Sequence, residues 1–258
     1  MALADTVADW VIKALPHDGS DAAVVAALRR KHPGELLALY FNWQSRMIPP
    51  QRRTVMRSKE FDESPVVAQR SVAIAQIIND IEQGNELRKY LSRRVRTGFA
   101  LRKNPKKKEL RKLHHLDLLL NDWRVYHLHL STIVESDGFV ERDDPLLFAM
   151  FRPDKAYLLD VATHGAFADD RLVQIAIENW PEDQLFREIK GIIGLRGGNP
   201  YTSDERKKLR SAGLFSFIQI GNRVFSPAGG ISSAGTSLQG PRFCPIASCA
   251  RSSNSKNR

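Results

Sequence analysis

The chain has 258 residues, a formal net charge of +10 and only two cysteines. That length buries a large core in one or two domains, and ordinary charged and apolar fractions exclude a low-complexity or fibrous protein. No apolar run approaches the roughly 20 residues that cross a bilayer, so no membrane partner is expected. The opening MALADTVADW has two early acids and no basic stretch, which argues against a signal peptide. Cys244 and Cys249 sit in a Ser-rich tail where they cannot cross-link a core, and a cytoplasmic location follows.

Taken in order, residues 3–14 place Leu3, Val7, Trp10, Val11 and Ala14 on one helical stripe that Pro16 ends. Ser20 or Asp21 caps a second helix running to about Lys31, and a third spans about Glu35 to Gln44. Pro49-Pro50 closes it, and a basic, extended-looking connection follows. Ser64-Pro65 opens a longer helix to about Gln83, Gly84 punctuates it, and Asn85 starts a basic helix to about Arg96. After a short apolar turn at Leu116–Leu120, Asn121-Asp122 breaks the chain ahead of a strand. Leu146–Phe151 and Ala156–Ala162 flank Arg152-Pro153-Asp154-Lys155, which is turn chemistry, so they form a hairpin.

Asp169 or Asp170 caps a helix carrying Leu172, Val173, Ile175, Ala176 and Trp180, and a further helix is expected over Asp183–Ile193. Thr202 and Glu205 make a capping box, and Gly221-Asn222 joins two short strands. The Gly-rich runs 194–198 and 229–235 lack the spacing and setting of a phosphate loop. The residues thus predict an α+β protein: a helical N-terminal half, then a small, mostly antiparallel sheet with flanking helices. The expected divisions are a helical region over 1–97, a basic connector over 98–115, an α+β domain over 116–226 and a flexible Gly/Ser-rich tail over 227–258.

Charge is unevenly placed. Arg88 to Lys112 holds twelve Lys or Arg against one acid, a net +11, while Leu113 to Lys190 holds fifteen acids against seven bases, a net −8. The basic run is the main argument for RNA or DNA as a partner, with Arg102, Lys103, Lys106, Lys107, Lys108, Arg111 and Lys112 as phosphate contacts. The alternative is a solvated linker.

Arg124 to Ser131 reads Arg-Val-Tyr-His-Leu-His-Leu-Ser. A strand puts His127, His129 and Ser131 on one face and Tyr126, Leu128 and Leu130 on the other, whereas a helix would split the histidines. Three uses compete. In metal-free RNA cleavage, His127, His129 and His164 act as general base and acid, with Arg124, Tyr126 and Arg152 as further contacts, although strict alternation points Tyr126 to the opposite face. In the second, His127 and His129 hold zinc with His164, or with Asp160 or Asp122, as in a metal-dependent hydrolase. In the third, the imidazoles only support the sheet, and the chain binds nucleic acid or regulates through the basic 88–112 run without catalysis. The leading expectation is the nuclease, with no cofactor.

The runs Leu118–Trp123, His127–Leu130, Leu146–Ala149, His164-Gly165 and Asn179-Trp180-Pro181 resemble a family of bacterial proteins with a Trp…His-Leu-His-Leu core and no assigned activity. Trp43–Pro49 and Gly229–Gly235 resemble further motifs of that family, and the segment after Leu238 departs from it. Trp123 to His164 is also loosely similar to RelE-type ribonuclease toxins, which place helices before a small antiparallel sheet and catalytic basic or histidine residues on it. That resemblance implies a toxin-like or defence-associated role and a cognate antitoxin as partner.

Overall fold

The computed structural model describes residues 3–101, 118–163, 170–191, 202, 205, 208 and 217–227. The architecture is α+β. Three helices open it: α1 (Leu3–Ala14), α2 (Ala22–Arg29) and α3 (Pro33–Gln44). The Asp21 side chain accepts from the amides of Ala23 and Val24, the capping role its residue type favours. Val11, Leu15, Val24, Leu28 and Leu36 pack with Phe99 into a small core of their own.

The connection after Pro50 contains β1 (Thr54–Arg57), followed by α4 (Lys59–Glu63), α5 (Pro65–Gln69) and α6 (Ser71–Gln83). Next come α7 (Leu118–Trp123), β2 (Tyr126–His129), β3 (Leu146–Phe151) and β4 (Lys155–Ala162). The four strands form one sheet in the order β1-β4-β3-β2. β2, β3 and β4 run antiparallel as a meander, and β1 lies parallel to β4. A strand from the N-terminal region is therefore one edge of the sheet and the histidine strand β2 the other, and the sheet is mixed.

Both faces of this sheet are covered, which is why β3 and β4 read as nearly continuous apolar runs instead of alternating. On one face, Ile74, Ile77 and Ile81 of α6 pack with Leu87, Tyr90, Leu91 and Val95 against Leu128, Leu147, Ala149 and Leu158. On the other, α7 and α8 (Arg171–Asn179) bury Trp123, Leu172, Val173 and Ala176 against Val125, Leu146, Phe148, Met150 and Leu159. A second, antiparallel sheet of β5 (Arg187–Glu188), β6 (Ile218–Ile220) and β7 (Arg223–Ser226) adds Ile218 and Phe225 to that layer.

Three expected helices differ. The helix expected from Ser64 to Gln83 breaks at Arg70, whose guanidinium pairs with Asp143. The basic helix expected to Arg96 is two 3-10 turns, Arg88–Tyr90 and Arg93–Arg96. Leu91 and Ser92 are extended between the turns, and side chains of the α3 region satisfy the carbonyls at the second: Trp43 Nε1 donates to Val95 O at 2.7 Å, and Arg46 donates to the carbonyls of Arg94 and Thr97. Over its described part, to residue 191, the helix expected over Asp183–Ile193 is replaced by a 3-10 turn at Pro181–Asp183 and by β5, because Gln184 turns left-handed (φ 45°) and Leu185 and Phe186 dip into the core. The predicted capping box stands: Thr202 N and Oγ1 donate to the Glu205 carboxylate, and Glu205 N donates back to Thr202 Oγ1.

Gly84 ends α6 with φ +75°, and a Cβ there would lie 2.7 Å from the backbone nitrogen of Arg52. A left-handed L residue costs about 1–2 kcal/mol before that clash is counted. Gly84→Ala is expected to lower unfolding free energy by at least this much, read as a shift in the urea midpoint. An unchanged midpoint would mean that the Arg52 backbone can retreat freely.

Beside it, burial pushes the Asp80 carboxyl up, but donors from Asn85, Lys89 and Tyr90 outweigh burial and hold it below the ordinary carboxylate range. A depressed folded pKa contributes stability that is present above the unfolded value, about 3.9, and disappears as pH falls through the folded one. Asp80→Asn is expected to flatten the acid limb of the stability curve, measured as unfolding midpoints from pH 2 to 6. An acid limb as steep as the parent's would assign it to other carboxylates.

Candidate functional site

α7 ends at Trp123, buried edge-on against Phe186 with ring centres 5.4 Å apart. Arg124 then takes a left-handed conformation (φ 56°), its amide donating to Leu120 O, and this reversal feeds the chain straight into β2. In β2, His127 lies opposite Phe148 and His129 opposite Leu146. The two imidazoles share one face with ring centres 6.1 Å apart and planes at 77°. The expected pairing of the histidines is observed; the expected polar face is not. Val125, Leu146 and Phe148 of the same face belong to the core under α7 and α8. His129 is only 5% exposed, while His127 is half-buried and forms the more open side of the pair.

One irregularity adds charge to this face. Register between β3 and β4 shifts at Phe148/Ala149: Phe148 faces Asp160, while Ala149 faces Leu158. The extra residue is a β-bulge, and it re-aims the side chain beside it. Asp160 thereby stands in one row with Phe148 and His127, about 10 Å from the latter across two strand spacings. Asp160 is 3% exposed, accepts from its neighbour Val161 N at 2.8 Å, and pairs with Arg171, the first residue of α8. Half of the Arg171 side chain remains in solvent.

The other sequence candidates divide clearly. Tyr126 points to the opposite face, as strict alternation requires, and its hydroxyl donates to Ser45 O at 2.8 Å. Arg152 lies at the far end of the hairpin from His129 and donates to the carbonyls of Gln184 and Leu185, so it is not part of the site. His164 lies outside the described residues, as do Arg102, Lys103, Lys106, Lys107, Lys108, Arg111 and Lys112. Among the described residues no group of three His, Cys, Asp or Glu stands close enough to hold a metal ion, which removes the arrangements built on Asp160 or Asp122. No helix among them is long and apolar enough to cross a membrane.

Of the five described cations in the basic run, three are engaged by acids. Lys89 pairs with Asp80 at 2.9 Å, Arg93 with Glu135 and Asp137, and Arg96 with Asp137. Arg88 and Arg94 are exposed. Sequence reasoning missed Arg171 at the site, because only the bulge brings Asp160 to the face that α8 covers. It also missed the buried Asn42, Arg46 and Asn121, whose side chains link α3 to α7. Comparison with protein-family models, curated proteins and solved structures found no match.

Proposed function

We propose that the chain is an RNA-cleaving enzyme of the metal-free acid–base kind, with His127 and His129 as the proton-transfer pair. The observation that carries this reading is the adjacency of the two imidazoles at 6.1 Å on one strand face. Cleavage through the 2′-hydroxyl needs one group to take that proton and another to give one to the departing 5′-oxygen. Attacking and leaving oxygens stand on opposite sides of phosphorus, so base and acid must flank the phosphate and not touch each other. Arg171, held by Asp160 and half in solvent, and Arg124 at the start of the strand supply positive charge for the equatorial oxygens of the five-coordinate phosphorus. A toxin-like or defence-associated setting with an antitoxin partner belongs to the same proposal.

The test uses purified full-length chain with a labelled RNA in chelator. The expected products are a 2′,3′-cyclic phosphate and a 5′-hydroxyl, and the DNA of the same sequence is left whole because it lacks the nucleophile. Intact RNA under these conditions, or cleavage of both nucleic acids, overturns the reading.

The basic run is proposed to supply affinity. Neutralising Lys106, Lys107 and Lys108 should weaken RNA binding for all sequences alike. On a single strand, the slope of log affinity against log salt should flatten by roughly 0.7 for each phosphate that a lysine had neutralised. An unchanged slope would make the run a solvated linker.

A further inference from the structure

We infer that His127 and His129 also chelate one divalent transition-metal ion, of the class that prefers imidazole, and that this ion blocks proton transfer. The inference rests on the same two side chains as the cleavage reading but needs no cleavage to be true. Side chains two apart on a strand project together, and pairing with Phe148 and Leu146 of β3 holds that register. With metal–nitrogen bonds of ~2.0–2.1 Å, two imidazoles on a tetrahedral ion have ring centres about 5 Å apart. The observed separation is 6.1 Å. Closing it takes roughly half an ångström from each ring, a χ1 rotation of about 10° that stays inside a staggered well.

Chemistry narrows the ion. Imidazole suits Zn2+, Cu2+ and Ni2+, whereas Mg2+ and Ca2+ ask for oxygen ligands. No third His, Cys, Asp or Glu among the described residues joins the pair. With two ligands among the described residues, water reaches the ion from the half-buried His127 side, which makes the site exchangeable and suited to inhibition. An ion seated on both imidazoles occupies the nitrogens that would carry protons. Bound metal and acid–base cleavage therefore exclude one another.

The experiment titrates Zn2+ into the full chain by calorimetry, after Cys244→Ser and Cys249→Ser have removed the two thiols, with Mg2+ as the control ion. One equivalent per chain is expected, with no binding of Mg2+. Removing even a group that only hydrogen-bonds to a ligand costs about 10–100-fold in metal affinity, so His127→Gln and, separately, His129→Gln should each cost at least about tenfold. His114→Ala with His115→Ala should leave the affinity as it was. His127 is the half-buried member, so its variant decides the matter if the His129 variant unfolds. Zinc affinity unchanged in His127→Gln, or lost instead with His114 and His115, overturns the inference. Zinc binding that depends on the pair in a chain that leaves RNA intact would sustain the inference and remove the cleavage reading.

Discussion

His127→Gln is expected to slow single-turnover RNA cleavage by about 10²–10⁴-fold, the usual worth of one positioned acid or base. His129→Gln should do the same. Glutamine keeps most of the volume and some hydrogen-bonding capacity but cannot exchange a proton near neutral pH, so the loss reports chemistry in preference to packing. Because the two imidazoles act as a unit, the double variant should be scarcely slower than either single one. RNA affinity should fall far less than the rate, since one side chain touches at most one of the phosphates that set affinity. Urea midpoints measured alongside separate catalysis from folding, which matters most for His129 at 5% exposure. A variant that still cleaves within twofold of the parent, while folded, removes its histidine from the mechanism.

Arg46→Met is expected to cost at least about 1–3 kcal/mol of unfolding free energy, the range for leaving a buried acceptor without its donor. Arg46 is 6% exposed and lies just past the end of α3. It donates to Asn42 Oδ1 at 2.8 Å and to the carbonyls of Arg94 and Thr97 at 3.2 and 3.3 Å. Asn42 Nδ2 in turn donates to Asn121 Oδ1 of α7 at 3.0 Å. Methionine fills comparable space but donates nothing, and each acceptor left short costs about 1–3 kcal/mol. Lysine should recover little, because one ammonium cannot span three acceptors that a planar guanidinium meets together. Since α7 delivers the chain into β2, the loss should also loosen the histidine strand, seen as faster amide exchange at Tyr126–His129. A cost below about 1 kcal/mol would show that water replaces the guanidinium without penalty.

Local chemistry alone determined much of this protein. The helix over residues 3–14, the Asp21 cap, the left-handed stop at Gly84, the Thr202–Glu205 capping box and the hairpin around Pro153-Asp154 all depend on neighbours within a few positions. So does the sharing of one face by His127 and His129, since it follows from the period of a strand. The tertiary structure decided the rest, through contacts that sequence spacing does not encode. β1 is recognisable as a strand only because β4, about 100 residues later, offers it an edge. Residues 88–96 form two turns in place of one helix, with Leu91 and Ser92 extended between them and with Trp43 and Arg46 donating to carbonyls of the second turn. The face of the histidine pair is a core face because α7 and α8 dock on it. Asp160 and Arg171 join that face through a one-residue bulge, and an apolar run gives no sign of where an extra residue will be accommodated.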